Sequence, residues 1–226
     1  MTKMPITPEH EKWINKCGLV DAVAVPPMLF CYKKGEFLCM EGDALNHILY
    51  VIEGKIKVST TSKSGKTLLI CFYQSEGIVG SIEALTDYPA TATAQAITDV
   101  VCIAVAISPN RKLLQNSLPF LWHLNTVLSM MFARSSKNAA LNLLYPLETR
   151  ACSYIALTQI DGVFRENLTE TSELLGASYR HLARVLENLC AKGILKKEGR
   201  RCYRITDLPT LKAMAEDYYS MSAMDL

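Results

Sequence analysis

The chain has 226 residues, half of them hydrophobic and a fifth charged, with a net charge of +2. It can therefore bury real cores, as one large or two modest domains. No uninterrupted apolar run approaches a membrane span, and Met1-Thr2-Lys3-Met4-Pro5 leads into a polar segment without the apolar core of a signal peptide. An intracellular, cytoplasmic protein with no membrane partner is expected.

From Leu29 to about Val105, short apolar runs are broken by glycine turns. Lys33-Lys34-Gly35-Glu36 reads as a turn, and Phe37-Leu38-Cys39-Met40 as a strand stopped by Glu41-Gly42-Asp43. Ile48 to Ile52 is a buried strand turned by Glu53-Gly54. Lys55-Ile56-Lys57-Val58 alternates, which predicts Ile56 and Val58 inward and both lysines outward. After the turn Ser64-Gly65-Lys66 come Thr67 to Phe72, Thr91 to Ala96 and Val100 to Val105. Many short strands at regular intervals predict a sandwich or barrel. Between Gly77 and Leu85 the pattern pauses, with Gly77-Ile78-Val79-Gly80-Ser81 before a single helical turn, Ile82 to Leu85. Free N–H groups at such a turn can cradle an anion; a glycine-rich corner with no ligand fits the spacing equally well.

Ser108-Pro109 opens a short helix and Pro119 starts a longer one. Leu121, Leu124, Leu128 and Met131 fall at a/d spacing, widened by Trp122, Val127 and Phe132, and the stripe turns polar at Ser135 and Asn138. It fits either a two-fold dimer seam or an internal core helix, and spacing alone does not decide. Tyr145-Pro146 interrupts the helix before Leu147-Glu148-Thr149-Arg150.

The strongest signal lies between Asn167 and Ile205. Leu168 to Leu175 predicts a short helix, with Asn167 as N-cap, Glu170 completing a capping box and Gly176 ending it. Ser178 caps a second helix, Tyr179 to Ala191, closed by Gly193. Leu182, Val185, Leu186 and Leu189 share its apolar face, and Arg180, Arg184 and Glu187 lie opposite. Two short strands, Ile194 to Lys197 and Arg200 to Ile205, flank a Glu198-Gly199 turn and form a wing. Eight Lys or Arg and two acidic residues between Gly176 and Thr206 give a local balance of +6, against +2 for the whole chain. An exposed, arginine-bearing helix set by a glycine turn beside a basic wing is the geometry that enters a major groove, so double-stranded DNA is the implied partner.

The order of these parts resembles the catabolite-activator/FNR (CRP/FNR) superfamily of bacterial regulators, and Gly176-Ala177-Ser178-Tyr179-Arg180-His181-Leu182 is similar to its YeiL-type branch. The resemblance implies an α+β fold: an N-terminal double-stranded β-helix (a jelly roll of cyclic-nucleotide-binding type) over 1–118, a long dimerisation helix over 119–146 and a winged helix-turn-helix over 147–226. It implies a homodimeric transcription regulator, with Leu121, Leu124, Leu128 and Met131 at the seam, RNA polymerase as a further partner and no catalytic role. Two recognition helices would then lie about 34 Å apart on a pseudopalindromic site. Tyr179, Arg180, His181 and Arg184 match the family's base-reading set; Arg184 matches a family arginine, whereas Arg180 stands where many members carry glutamate. Ser178 and the wing residues Lys196, Lys197, Arg200, Arg201 and Arg204 would hold the phosphate backbone.

The resemblance places the effector pocket at Gly80, Ser81, Ile82, Glu83, Thr91 and Ala92. Members that bind cyclic nucleotides use a glutamate for the ribose and an arginine for the phosphate; the matching positions here are Ser81 and Ala90. From Thr67 through Asn110 there is no Lys or Arg. An anion buried there would lack a countercharge, so cyclic AMP is not expected to bind in the family's usual way and the effector is unidentified.

Two alternatives remain. Cys17, Cys31, Cys39, Cys71, Cys102, Cys152, Cys190 and Cys202 include no C-x-x-C pair, and several lie in apolar runs, which favours reduced, buried thiols. A redox-sensing or effector-free regulator would draw on Cys17, Cys31 and Cys39. A cupin-like metalloenzyme needs clustered ligands, yet His10, His47, His123 and His181 fall in four different elements, so neither a metal nor a catalytic set is expected.

Overall fold

The computed structural model describes residues 1–65, 67–73, 77–86 and 88–215, with 134–135 and 137–143 as backbone only. Lys66 and the side chains of Ser135 and Asn138, named above, lie outside the described residues.

In chain order the elements are β1 (Thr2–Met4), a 3-10 turn (Pro8–His10), α1 (Glu11–Lys16), β2 (Met28–Tyr32), β3 (Phe37–Cys39), β4 (His47–Glu53), β5 (Ile56–Thr61) and β6 (Thr67–Tyr73). There follow β7 (Ile78–Val79), α2 (Ser81–Thr86), β8 (Thr93–Ala96), β9 (Val100–Ala106), α3 (Ile107–Asn116) and α4 (Leu118–Leu144). The remainder is α5 (Leu147–Thr158), β10 (Val163–Phe164), α6 (Leu168–Leu174), α7 (Tyr179–Ala191), β11 (Leu195–Gly199), β12 (Cys202–Ile205) and α8 (Leu208–Ala215). Two compact units divide this chain: Met1–Val58 with Phe72–Ser135, and Ser59–Cys71 with residues 136–215.

The roll has a five-stranded sheet, ordered β1-β2-β9-β4-β7, and a four-stranded sheet, ordered β3-β8-β5-β6. In the first, β9 is held between antiparallel β2 and β4, with Phe30 opposite Cys102 and Tyr50 opposite Ile103. Ile48, Tyr50, Ile52, Ile103 and Val105 form one core cluster with Leu114 of α3 and Phe120 and Leu124 of α4. Leu49, Val51, Cys102 and Ala104 alternate with them and are buried as well. Covering both faces is why β4 and β9 read as unbroken apolar runs rather than as alternating ones. Asn110, fully buried, ties α3 to the segment before β2: its Oδ1 accepts from the N–H groups of Ala24 (2.7 Å) and Val25 (2.8 Å), and its Nδ2 donates to the carbonyls of Val25 and Ala106. That meets the amide's whole hydrogen-bonding capacity in the interior.

Three sequence expectations change here. Lys57 is only 9% exposed rather than outward in water, because β5 is an inner strand covered on both sides. Its long alkyl stem tolerates such cover. The strand β1, which pairs with β2, and the helix α1 were not anticipated.

The third change concerns the long helix, where Leu121, Leu124, Leu128 and Met131 turn toward the chain's own roll. Leu124 is 1% exposed in the core, Leu121 and Leu128 pack against that core, and Met131 lines a cavity of the roll. The face left to solvent carries Leu118, Trp122, Asn125, Ser129 and Phe132, which is the same heptad rotated by one position. Leu124→Ala should therefore cost about 2–5 kcal/mol in urea unfolding, the range for deleting a buried leucine; a loss below about 1 kcal/mol would place Leu124 outside the core.

Candidate nucleic-acid interface and roll pocket

In the second unit, Asn167 caps α6 by accepting the Thr169 N–H at 3.1 Å, while its side-chain amide donates to Glu170 Oε1 at 2.7 Å. The expected Asn–Glu pair thus exists, but it links two side chains instead of returning the glutamate to the cap backbone. Gly176 ends the turn after α6 at φ +61, a left-handed conformation that costs other L-residues about 1–2 kcal/mol. The N–H groups of Gly176 and Ala177 donate to the carbonyls of Glu173 (2.9 Å) and Ser172 (2.8 Å). From α5, Arg150 donates through Nη1 to the Leu175 carbonyl at 2.7 Å and fixes the turn from beneath. Its sequence position marked it only as the start of a domain; no local pattern announces a contact 25 residues away.

Ser178 caps α7, its Oγ accepting the His181 N–H at 3.2 Å. The underside is closed: Leu182, Val185, Leu186 and Leu189 are all buried. Tyr179, Arg180, His181 and Arg184 are exposed on the outer side. Tyr179 is 53% exposed.

The wing is a three-stranded antiparallel sheet, β10-β12-β11. Its turn is Arg200-Arg201 rather than Glu198-Gly199, because β11 runs through Gly199 and the register slips between Lys197 and Gly199. The bulge puts two arginines at the tip, where alternation alone had them at the start of a strand. Glu198, in the bulged segment, bonds Arg204 Nε at 2.6 Å; that hydrogen bond pulls the Glu198 carboxyl below its ordinary range. Arg204, expected to hold phosphate, is thus engaged by a carboxylate, and Lys192 likewise pairs with Glu148 at 2.7 Å. Arg180, Arg184, Lys196, Lys197, Arg200 and Arg201 are exposed and make no ion pair among the described residues. The arrangement is a rigid helix and a wing tip that both present guanidinium groups.

In the first unit, the six expected pocket residues line one cavity of about 80 Å³, together with Cys39, Val58, Tyr73, Ile78, Val79, Ala94 and Met131. Gly80 opens it at φ +87, and a Cβ there would stand 2.7 Å from the His47 carbonyl oxygen, so only glycine lets the chain pass. Ser81 and Glu83, on the first turn of α2, are both buried. Glu83 Oε1 accepts from the backbone N–H of Thr91 at 3.1 Å and from its hydroxyl at 3.4 Å. Ala90 does not line the cavity; its N–H donates to the Asp43 carbonyl. Among the described residues no Lys or Arg lines the cavity, and the Glu83 carboxylate would oppose a phosphate. These residues do not fit a cyclic nucleotide held by countercharge.

The cysteines expected as a set are separate. Cys17 and Cys39 are buried, while Cys31 is half-buried with its thiol 3.8 Å from Met4 Sδ. Burial pushes Cys39 up to about 11, with the nearby Glu83 and Asp43 adding to it, and pushes Cys152 to about 12. Such thiols stay protonated and react poorly with oxidants.

These geometries have counterparts among known proteins. The family model for the cyclic nucleotide-binding domain matches residues 29–117, which covers the roll from β2 to the end of α3. Regulatory protein YeiL of Escherichia coli O157:H7 is 29% identical over 205 residues, 91% of this chain and 93% of that protein. Among solved structures, a transcriptional regulator of the CRP family from Thermus thermophilus superposes with TM-score 0.69 at 17% identity, over 85% of this chain and all of the other. One described as of the crp/fnr family from Eubacterium rectale ATCC 33656 gives 0.72 at 16% identity, over 93% and 95%. The two structures show the fold, the domain match shows a cyclic nucleotide-binding domain over residues 29–117, and the likeness to YeiL runs through nearly the whole chain.

Proposed function

We propose that this protein is a sequence-specific transcription regulator that binds double-stranded DNA through α7 and its wing. The observation that carries the reading is α7 itself: a capped helix with a sealed apolar underside and Arg180 and Arg184 held outward beside the Arg200-Arg201 tip. Arg184 and Arg180 read bases, since a guanidinium donates bidentately to guanine O6 and N7. Tyr179 and His181 flank them. Ser178, Lys196, Lys197, Arg200 and Arg201 hold phosphates and set the register. Arg204 acts mainly by bracing the wing through Glu198.

In this reading residues 1–118 form the sensor roll, 119–146 the dimerisation helix and 147–226 the DNA-binding domain. The protein works as a homodimer in the cytoplasm, where the DNA is. The apolar positions Leu118, Trp122 and Phe132, each more than 70% exposed, supply the surface a second copy of α4 would cover. Effector binding in the roll shifts the long helices, changes the spacing of the two recognition helices and so tunes affinity for a two-fold operator. RNA polymerase is the partner through which a bound dimer acts.

Genome-wide binding-site mapping followed by titration of the recovered duplex tests the reading. Arg184→Ala should relax base preference at one position per half-site by about 1–3 kcal/mol, whereas Arg200→Ala should weaken all duplexes alike. An unchanged motif and affinity in Arg184→Ala would refute the assignment of this face. Ser178→Ala should cost about 1 kcal/mol of stability in urea unfolding by removing the α7 cap. Trp122→Glu should shift the sedimenting species from dimer to monomer at micromolar concentration; a persistent dimer would place the seam elsewhere.

A further inference from the structure

The roll pocket contains a carboxylate whose position the DNA-binding machinery does not explain. Glu83 is only 8% exposed, sits on the first turn of α2 and lines the cavity. Both Thr91 donors go to Oε1, and Oε2 takes no hydrogen bond among the described residues. That oxygen is an open acceptor, and no Lys or Arg is among the described residues that line the cavity. The field of Glu83 reaches across the space, since it is one of the charges that raise the Cys39 thiol. The rest of the lining divides simply. Tyr73 is aromatic, and Val58, Ile78, Ala94 and Met131 are apolar.

We infer that this cavity takes a small, apolar primary amine in its ammonium form, with the charged head on Glu83 and the alkyl portion among Val58, Ile78, Ala94 and Met131. The inference rests on the reading of the roll as the effector domain of a regulator and names the chemistry of that effector. An ammonium brings three N–H donors and a positive charge together, so one group meets Glu83 Oε2 by a charge-assisted hydrogen bond. At about 80 Å³ the cavity suits a short chain and leaves no room for a large polar head. A carboxylate or cyclic phosphate is rejected by the charge that admits the amine.

The test uses calorimetric titration of the full-length protein at neutral pH with ethyl-, butyl- and hexylammonium chloride. Butanoate and n-butanol serve as isosteric controls, and cyclic AMP as the nucleotide arm. At least one alkylammonium should bind with one site per chain, and at least tenfold tighter than n-butanol. Butanoate and cyclic AMP should give no binding. Glu83→Gln keeps an acceptor for Thr91 and should retain a cooperative urea transition while weakening ammonium binding at least tenfold. Absence of alkylammonium binding, equal binding of n-butanol, binding of butanoate or cyclic AMP, or indifference to Glu83→Gln would each overturn the inference. The wild-type isostere series is decisive even if the variant fails to fold. A parallel titration of the wild-type protein with duplex DNA separates the two claims. Loss of the DNA signal alone sinks the regulator reading, and loss of the ammonium signal alone sinks this one.

Discussion

Burial of one face of α7 is the interaction on which the rest depends. Leu182, Leu186 and Leu189 are at most 1% exposed and Val185 is 6% exposed, so the helix cannot roll without exposing a stripe of core. Each such side chain contributes on the order of 1.5–3 kcal/mol when withdrawn from water. That is enough to hold Arg180 and Arg184 outward, and a guanidinium held in place loses less entropy on meeting a base than one on a mobile loop. The neighbouring features serve the same end. Gly176 turns the chain, Arg150 holds the Leu175 carbonyl and Ser178 begins the helix.

The roll follows the same physics with opposite charge. Its pocket is built at a Gly80 corner where no side chain fits, and it closes around a carboxylate. The family match covers this roll, yet the residues in it fit a positive or neutral guest far better than a phosphate. The domain match marks the scaffold, and the residues in the cavity decide what it takes.

Much of this was legible in the sequence because it is local. Caps, glycine turns and helix periodicity involve residues within about four positions of each other, and Asn167, Gly176, Ser178 and the α7 apolar face stand where those rules put them. The six pocket positions came from resemblance, and the cavity gathers all of them. What was not legible depends on distant parts of the chain. The α4 helix carries large apolar residues on two faces, and only the folded roll shows which one it takes for its own core. The wing turn moved by two residues because a bulge, invisible to alternation, carries Gly199 into the strand. Lys57 was assigned to water by alternation, although both faces of its strand are covered. Glu83 stood among the pocket residues, but its burial and its hold on Thr91 need coordinates to see.

The central claim, that α7 and the wing tip form a duplex-binding surface, is met most directly by measuring affinity for a recovered operator duplex as a function of salt. Arg180, Arg184, Lys196, Lys197, Arg200 and Arg201 on each chain should release several counterions, so the logarithm of affinity should fall linearly with the logarithm of salt with a slope of about −5 or steeper for a dimer. A scrambled duplex should bind at least about a thousandfold more weakly at physiological salt. Binding that is insensitive to salt, or equal for operator and scrambled duplex, or absent at low ionic strength, would contradict the account.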